Sequence, residues 1–167
     1  MKNFVIIFIS ILFLISCQKE AVNYPDVNVK ELVASIKWDG SAEEINNLFE
    51  DGYKLSYNEN QLNGRGDAKA FEYTGGKFLG EPADTWVVGF LNGEPNAVIV
   101  KYTKNNNKNE FFERICNKLG KELGASKMTL EKSRFWVYAP VDTLAFSVVC
   151  NAAPNTNDIL VVIKKIR

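Results

Sequence analysis

The sequence predicts an α+β domain, with one antiparallel sheet and two helices packed on one face of that sheet. Two segments have the periodicity of amphipathic helices, and the second carries a long apolar stripe. Most of the other apolar segments alternate with polar residues, which is typical of strands. An Asn-Gly turn at 92–93 joins two of these segments, and connections of this length require antiparallel pairing.

The first half of the domain begins with residues 32–38, whose composition predicts a strand. The helix that follows has a clear start, because Ser41 and Glu44 form a capping box in which each side chain satisfies a backbone amide. Gly52 suits the left-handed position just past the end of that helix. Two alternating segments then predict further strands before residue 85.

Residues 85–91 and 96–102 are the strands of the predicted hairpin. Both faces of each strand are largely apolar, so we expect the hairpin in the middle of the sheet. A second helix follows from residue 109 to a stop at Gly124, with Cys116 on its apolar stripe. Four more strands are predicted at 127–131, 135–138, 144–150 and 158–166.

The order of elements gives a helix followed by strands at 41–102 and again at 109–166. No repeat of individual residues accompanies this order. Two tandem helix-plus-strands units and a single undivided unit are therefore both compatible with the sequence.

The start of the chain has the pattern of a bacterial export signal. Lys2 is followed by a nearly continuous apolar run at 4–15, which is shorter than the roughly 20 residues that a bilayer-spanning helix needs. The tetrapeptide Leu-Ile-Ser-Cys at 14–17 resembles the lipobox of bacterial lipoproteins, in which cleavage precedes a lipid-modified cysteine. The resemblance implies that residues 1–16 are a signal peptide and that Cys17 carries palmitate and other acyl chains. An uncleaved membrane anchor is the alternative.

The rest of the chain divides into a tether at 17–30 and a single domain at 31–167. The tether is polar and lacks sustained periodicity. Its residues 18–20 resemble the charged signal that sends Bacteroidetes-type lipoproteins to the cell surface, and an ordinary polar linker is the alternative. We expect an outer-membrane lipoprotein, and both the periplasmic and the cell-surface side of that membrane are compatible with the sequence.

The charge balance bears on the kind of partner. The chain has 20 basic and 20 acidic residues, and removal of 1–16 takes away Lys2, which leaves 19 basic and 20 acidic residues. A net charge near −1 argues against nucleic acid and against electrostatic binding to a membrane surface. We therefore expect contact with the membrane only through the lipid anchor.

The residues that commonly carry chemistry are scarce. The chain has no histidine, which excludes Ser-His and Cys-His dyads and histidine-bound zinc. The acidic pairs at 43–44 and 50–51 lie at the two ends of a predicted helix and have structural explanations. We predict that the protein is not an enzyme and uses neither a metal nor a cofactor.

Two further sites involve covalent modification. If Cys17 carries lipid, two cysteines remain, Cys116 and Cys150. Outside the cytoplasm these two can form a disulfide with each other. Two buried thiols that pack as small apolar residues are the alternative. Asp142-Thr143-Leu144 resembles the O-glycosylation site of Bacteroidetes envelope proteins, which would make Thr143 the acceptor.

The arrangement of motifs resembles small Bacteroidetes envelope lipoproteins of unknown function. The segments that carry this resemblance are 41–44, 52–53, 78–80, 87–90 and 97–100. The layout is also similar to beta-lactamase inhibitor proteins and to small outer-membrane assembly lipoproteins. These resemblances imply a binding or assembly module that acts on an envelope protein or ligand. The alternative is an inhibitor or immunity protein that blocks an envelope or extracellular enzyme.

Aromatic residues close to the predicted turns fit either of these functions. They are Tyr57, Tyr73, Phe78, Trp136 and Tyr138. Aromatic side chains often anchor interfaces, but strands also favour them in the core.

Overall fold

The computed structural model describes residues 23–63, 67–104, 106–141 and 144–166. These residues form a mixed α+β fold with a large antiparallel sheet, which confirms the predicted class. The helices are α1 (Val29–Ser35), α2 (Ala42–Asn47) and α3 (Lys108–Leu123). The strands are β1 (Asp26–Val27), β2 (Ser56–Asn63), β3 (Ala68–Thr74), β4 (Lys77–Phe78), β5 (Glu81–Pro82), β6 (Thr85–Leu91), β7 (Glu94–Thr103), β8 (Met128–Leu130), β9 (Ser133–Val141), β10 (Leu144–Ala152) and β11 (Asp158–Lys165).

Eight strands form one sheet in the order β2-β3-β6-β7-β11-β10-β9-β8, and every neighbouring pair is antiparallel. The predicted turn joins β6 to β7, and its residues Asn92 and Gly93 have φ angles of 54° and 85°. Positive φ at both positions lets a two-residue turn follow the twist of its strands. The hairpin lies inside the sheet, as predicted, because β7 pairs with β11 on its other side.

The core contains one face of this sheet, which we call the inner face. Val88, Val98, Ile163 and Val148 are paired side by side across four strands on this face, and each is 0% exposed. The buried residues of all three helices belong to the same apolar cluster. Successive residues of a strand point to opposite faces of the sheet. The residues that alternate with the inner-face residues therefore lie on the opposite face.

The first helix corrects the sequence analysis. Residues 32–38 were expected to form a strand, but α1 covers Val29–Ser35. The Asn28 side chain accepts a hydrogen bond from the Glu31 amide at 3.0 Å, and the Glu31 carboxylate accepts one from the Asn28 amide at 3.2 Å. This capping box starts the helix inside the segment 17–30, and Val29 is 0% exposed. The packed chain therefore begins before residue 31, and the helices number three among the described residues rather than the predicted two.

The second helix starts as predicted and ends differently. Ser41 accepts from the Glu44 amide at 3.3 Å, and Glu44 accepts from the Ser41 amide at 2.8 Å, which confirms the capping box. After Asn47 the chain continues as a π-helical turn, Leu48–Gly52, which places Phe49 in the core at 0% exposure. The residue with positive φ is Lys54, at 60°, rather than Gly52.

The third helix agrees with its prediction. It ends at Leu123, and Gly124 follows with a φ of 85°. Its apolar stripe is buried, with Ile115 at 0% and Cys116 at 1% exposure. α3 packs against β9, β10 and β11.

A small three-stranded sheet of β1, β4 and β5 was not expected from the sequence. β1 pairs with β4 in parallel, so that Val27 lies beside Phe78. The Asp26 carboxylate accepts a hydrogen bond from the Gly80 amide at 2.6 Å. This small sheet joins the start of the packed chain to the segment before β6.

Candidate functional site

Two of the predicted site residues, Cys17 and Thr143, lie outside the residues that the structure describes. Lipidation of Cys17 and O-glycosylation of Thr143 therefore stay predictions.

The acidic pairs have the local roles expected of helix ends. Glu44 belongs to the capping box of α2, and Lys37 Nζ donates a hydrogen bond to it at 2.9 Å. This bond, together with the Ser41 amide, lowers the pKa of Glu44, so its carboxylate stays charged for capping. Glu50 and Asp51 are exposed residues of the π-helical turn.

Most of the turn-adjacent aromatic residues belong to the core. Tyr73 and Phe78 are 0% exposed and Trp136 is 2% exposed, while Tyr57 and Tyr138 are partly buried. The Trp136 indole donates a hydrogen bond to the Gly124 carbonyl at 3.1 Å, so its polar edge is also satisfied within the fold. For the three buried residues, the core interpretation is confirmed and a role as exposed anchors is excluded.

The face of the sheet opposite the core, the outer face, carries an apolar row that crosses six strands. Residues that are directly paired across antiparallel strands bring their side chains together on one face. This outer row consists of Val87, Ile99, Val162, Val149, Phe135 and Met128. Every member is partly or fully exposed, and Met128 on the edge strand is 52% exposed.

The outer row is long enough to form an extended apolar surface. Neighbouring strands lie about 4.8 Å apart, so six strands give a row roughly 24 Å long. Val137 and Leu130, which are 40% and 56% exposed, add apolar surface near the β8 end. At the other end the row stops at β3, where Glu72 pairs with Val87 and accepts a hydrogen bond from Asn58 at 3.0 Å. A contiguous exposed apolar patch with a polar border is typical of an interaction surface.

Two lysines flank the middle of the outer row. Lys101 lies two residues after Ile99 on β7, and Lys164 lies two residues after Val162 on β11, so both belong to the outer face. Because β7 and β11 are antiparallel, the lysines stand on opposite sides of the row. Neither forms an ion pair with any residue that the structure describes.

The two predicted disulfide partners meet inside the fold. Cys116 faces the core from α3 and is 1% exposed, and Cys150 lies on the inner face of β10 and is 0% exposed. Both are free thiols in this structure. The neighbouring Cys150 thiol lowers the pKa of Cys116 against the effect of burial, and Arg134 lowers it further. The neighbouring Cys116 thiol and burial raise the pKa of Cys150.

No group of three or more His, Cys, Asp or Glu side chains among the described residues is arranged to hold a metal ion. Within the same part of the chain, no helix has the length and apolar character needed to cross a bilayer. The chain matches no known protein family, no curated protein and no solved structure.

Sequence reasoning missed the outer row as a candidate site. The signal was present in Val87 and Ile99, which make the second face of the hairpin apolar. That pattern indicated a central position in the sheet, which is correct, but it does not tell whether the second face is covered. The row also depends on the pairing of β7 with β11, which connects distant parts of the sequence.

Proposed function

We propose that this protein is a non-catalytic, lipid-anchored binding module of the bacterial envelope, and that the outer face of its sheet is the docking surface. The observation that carries the proposal is the outer row, six paired apolar residues that are all at least partly exposed. Each of these side chains points away from a core that is already filled from the other side of the sheet.

The occupant that fits this face is a protein segment that presents apolar side chains bordered by carboxylates. The apolar part would cover the outer row, because removal of apolar surface from water drives association. Carboxylates on both sides would meet Lys101 and Lys164, whose charges are not neutralised by any described residue. Charge complementarity of this kind fixes the orientation of a partner and speeds its association.

The layout of elements adds support for two related helix-plus-strands units. α1 and α2 precede β2, β3, β6 and β7, and α3 precedes β8, β9, β10 and β11. In the sheet these two sets meet through their last strands, β7 and β11. With the helices on one face, such a layout leaves a broad eight-stranded face for a partner, as in the beta-lactamase inhibitor proteins and the small outer-membrane assembly lipoproteins that the sequence resembles.

The lipid anchor at Cys17 would hold this face close to the outer membrane, on its periplasmic or its cell-surface side. The tether from residue 18 to the start of β1 at Asp26 is short. Eight residues reach at most about 29 Å when fully extended. The start of the folded domain would therefore lie within this distance of the membrane, and the partner would be an envelope protein.

Site-directed photocrosslinking in cells tests the docking surface. A photoreactive amino acid at Val149, on the outer row, should give one defined protein adduct, whereas the same residue at Lys121, on the exposed side of α3, should not. The partner identified in this way is then purified and its affinity for the full-length protein is measured. Ile99→Glu should weaken binding by at least about tenfold, which corresponds to roughly 1.4 kcal/mol.

The charge requirement and the alternative function are tested on the same purified pair. Lys101→Glu and Lys164→Glu should each weaken binding, and the wild-type affinity should fall with added salt. Glu110→Lys, on the exposed side of α3, is the matched control and should bind like the wild type. Unchanged affinity in Ile99→Glu would overturn the proposal. An enzyme partner that loses its activity at one-to-one stoichiometry would instead identify the protein as an inhibitor or immunity protein.

A further inference from the structure

The contact between Cys116 and Cys150 is a second feature that the binding function does not use. The two thiols come from different layers of the fold, α3 and β10, and meet where the helix packs on the sheet. Arg134, which pairs with Cys150 across β9 and β10, contacts Glu113 of α3 and lines the same depression as Cys116, so the two cysteines lie on either side of this contact. Two adjacent thiols held by separate elements have the arrangement from which an intramolecular disulfide forms.

Only one of the two thiols borders the protein surface. A depression of about 680 Å³ lies beside α3, and Cys116 contributes to its wall whereas Cys150 does not. Small residues of the same wall, Gly120 and Gly124, leave open space where a side chain would stand. Cys116, although only 1% exposed, is therefore the thiol nearer to the surface, and Cys150 lies behind it in the core.

The surroundings also favour Cys116 as the attacking sulfur. Arg134 lies in the wall of the depression and forms an ion pair with Glu113 at 2.5 Å. The neighbouring Cys150 thiol and the charge of Arg134 lower the pKa of Cys116, although burial and Glu113 act against them. The thiolate is the reactive form in disulfide exchange, so the two cysteines have different parts in the reaction.

We propose that Cys116 and Cys150 are a dithiol site that accepts a disulfide from a thiol–disulfide oxidant. The Cys116 thiolate attacks one sulfur of the oxidant's disulfide, the bond between the oxidant's two sulfurs breaks, and one oxidant thiolate leaves. Cys150 then loses its proton and attacks the Cys116 sulfur of the mixed disulfide, which releases the second oxidant thiolate. The two cysteines are oxidised to one disulfide, and one oxidant disulfide is reduced to two thiols.

The resulting bond would fasten the third helix to the sheet. It closes a loop that runs from α3 through β8 and β9 to β10. A cross-link between Cys116 and Cys150 restricts the unfolded chain, so the oxidised protein should melt roughly 5–10 °C above the reduced protein.

The test uses the full-length chain with Cys17→Ser, so that Cys116 and Cys150 are its only thiols. The folded, reduced protein is treated with oxidised glutathione and then analysed under denaturing conditions. We expect both thiols to disappear, the mass to fall by two hydrogens, and two molecules of reduced glutathione to be released per chain. The melting temperature should rise by the amount given above and return to its starting value with reductant.

Single variants separate the roles of the two cysteines. Cys150→Ser in the same background should accumulate one glutathione adduct on Cys116, because no second thiol can resolve it. Cys116→Ser should stay unmodified while folded, since Cys150 does not reach the surface depression. Two thiols remaining in the protein with both cysteines, or a stable glutathione adduct on it, would overturn the proposal even if neither variant folds.

Discussion

The hydroxyl of Tyr102 donates a hydrogen bond of 2.8 Å to the main-chain carbonyl of Phe78. Both residues are 0% exposed, so this bond lies wholly inside the core. Tyr102 belongs to β7, in the middle of the large sheet, and Phe78 to β4 of the small sheet. The bond therefore connects the two sheets, and burial raises the pKa of the tyrosine well above its ordinary value.

Removal of this hydroxyl should destabilise the protein without changing its shape. We expect Tyr102→Phe to lower the free energy of unfolding by about 1–2 kcal/mol, because the buried Phe78 carbonyl loses its donor. Urea denaturation followed by tryptophan fluorescence measures the loss. Tyr138→Phe is the control, since the Tyr138 hydroxyl has no hydrogen bond to a described residue, and it should change stability little. Equal effects in the two variants would contradict the assignment of this bond.

Introducing a charge at Val88 should reduce the stability of the fold much more than introducing one at its neighbour Val87 on β6. Val88 is 0% exposed on the inner face, so Val88→Asp leaves an unpaired carboxylate in the core and should cost more than about 3 kcal/mol. Val87 lies on the partly exposed outer face, and Val87→Asp should leave the domain folded. Thermal melting followed by circular dichroism compares them. A folded Val88→Asp together with an unfolded Val87→Asp would mean that the inner and outer faces are interchanged.

The stability should depend on acid through Glu81. Burial raises the pKa of Glu81, but the hydrogen bonds and charges of Lys118 and Arg114 outweigh this and hold it below the ordinary value of 4.5. A carboxyl with a lowered folded-state pKa stabilises the fold above its unfolded-state pKa, and this contribution is lost as the pH falls through the folded-state pKa. We expect Glu81→Gln to be less stable than wild type at about pH 7, with the difference shrinking below about pH 4. Urea denaturation at each pH provides the measurement.

Glu122 provides a control of opposite sign. Its pKa is raised, chiefly by burial, although it accepts a hydrogen bond from the Lys30 amide at 2.7 Å. A raised folded-state pKa gives stability below the unfolded-state pKa that is lost as the pH rises. Glu122→Gln should therefore be at least as stable as wild type near neutral pH. The same pH trend in both variants would argue against the opposite shifts of these two carboxyls.

The predicted lipidation is tested at Cys17. Cys17→Ala should leave the precursor uncleaved and without lipid, because the lipobox cut requires the modified cysteine. Metabolic labelling with a fatty acid, together with membrane fractionation, reports both effects. Ser10→Ala lies in the apolar run outside the lipobox and should be processed normally. Normal cleavage of Cys17→Ala to a water-soluble protein would refute the lipobox.

Local signals in the sequence were sufficient for several elements. The capping box of Ser41 and Glu44, the turn at 92–93 and the stop at Gly124 were all predicted, since each depends on a few adjacent residues. α1 was missed although its own capping box is as clear, because Asn28 lies in a polar segment and the residues after it are rich in valine and alanine. The small sheet was missed because β1 and β4 are far apart in the chain.

The candidate site was less predictable than the elements that form it. Each residue of the outer row has an unremarkable strand context, and only the register of five strand pairs brings the six together. A shift of one residue in any pair would move the part of the row beyond that pair to the other face. The Cys116 and Cys150 pair was easier to anticipate, because both lie on apolar faces of elements that were predicted correctly.

The position of β11 has a consequence for the order of folding. β11 follows every other described strand in the chain, yet it lies in the middle of the sheet between β7 and β10. The strands β2, β3, β6 and β7 can pair through short connections as they emerge, but they cannot join β8, β9 and β10 until β11 is available. The two halves of the sheet therefore join only when Asp158–Lys165 is available. In the proposed lipoprotein, export from the N-terminus would complete the sheet only after this strand has crossed the membrane.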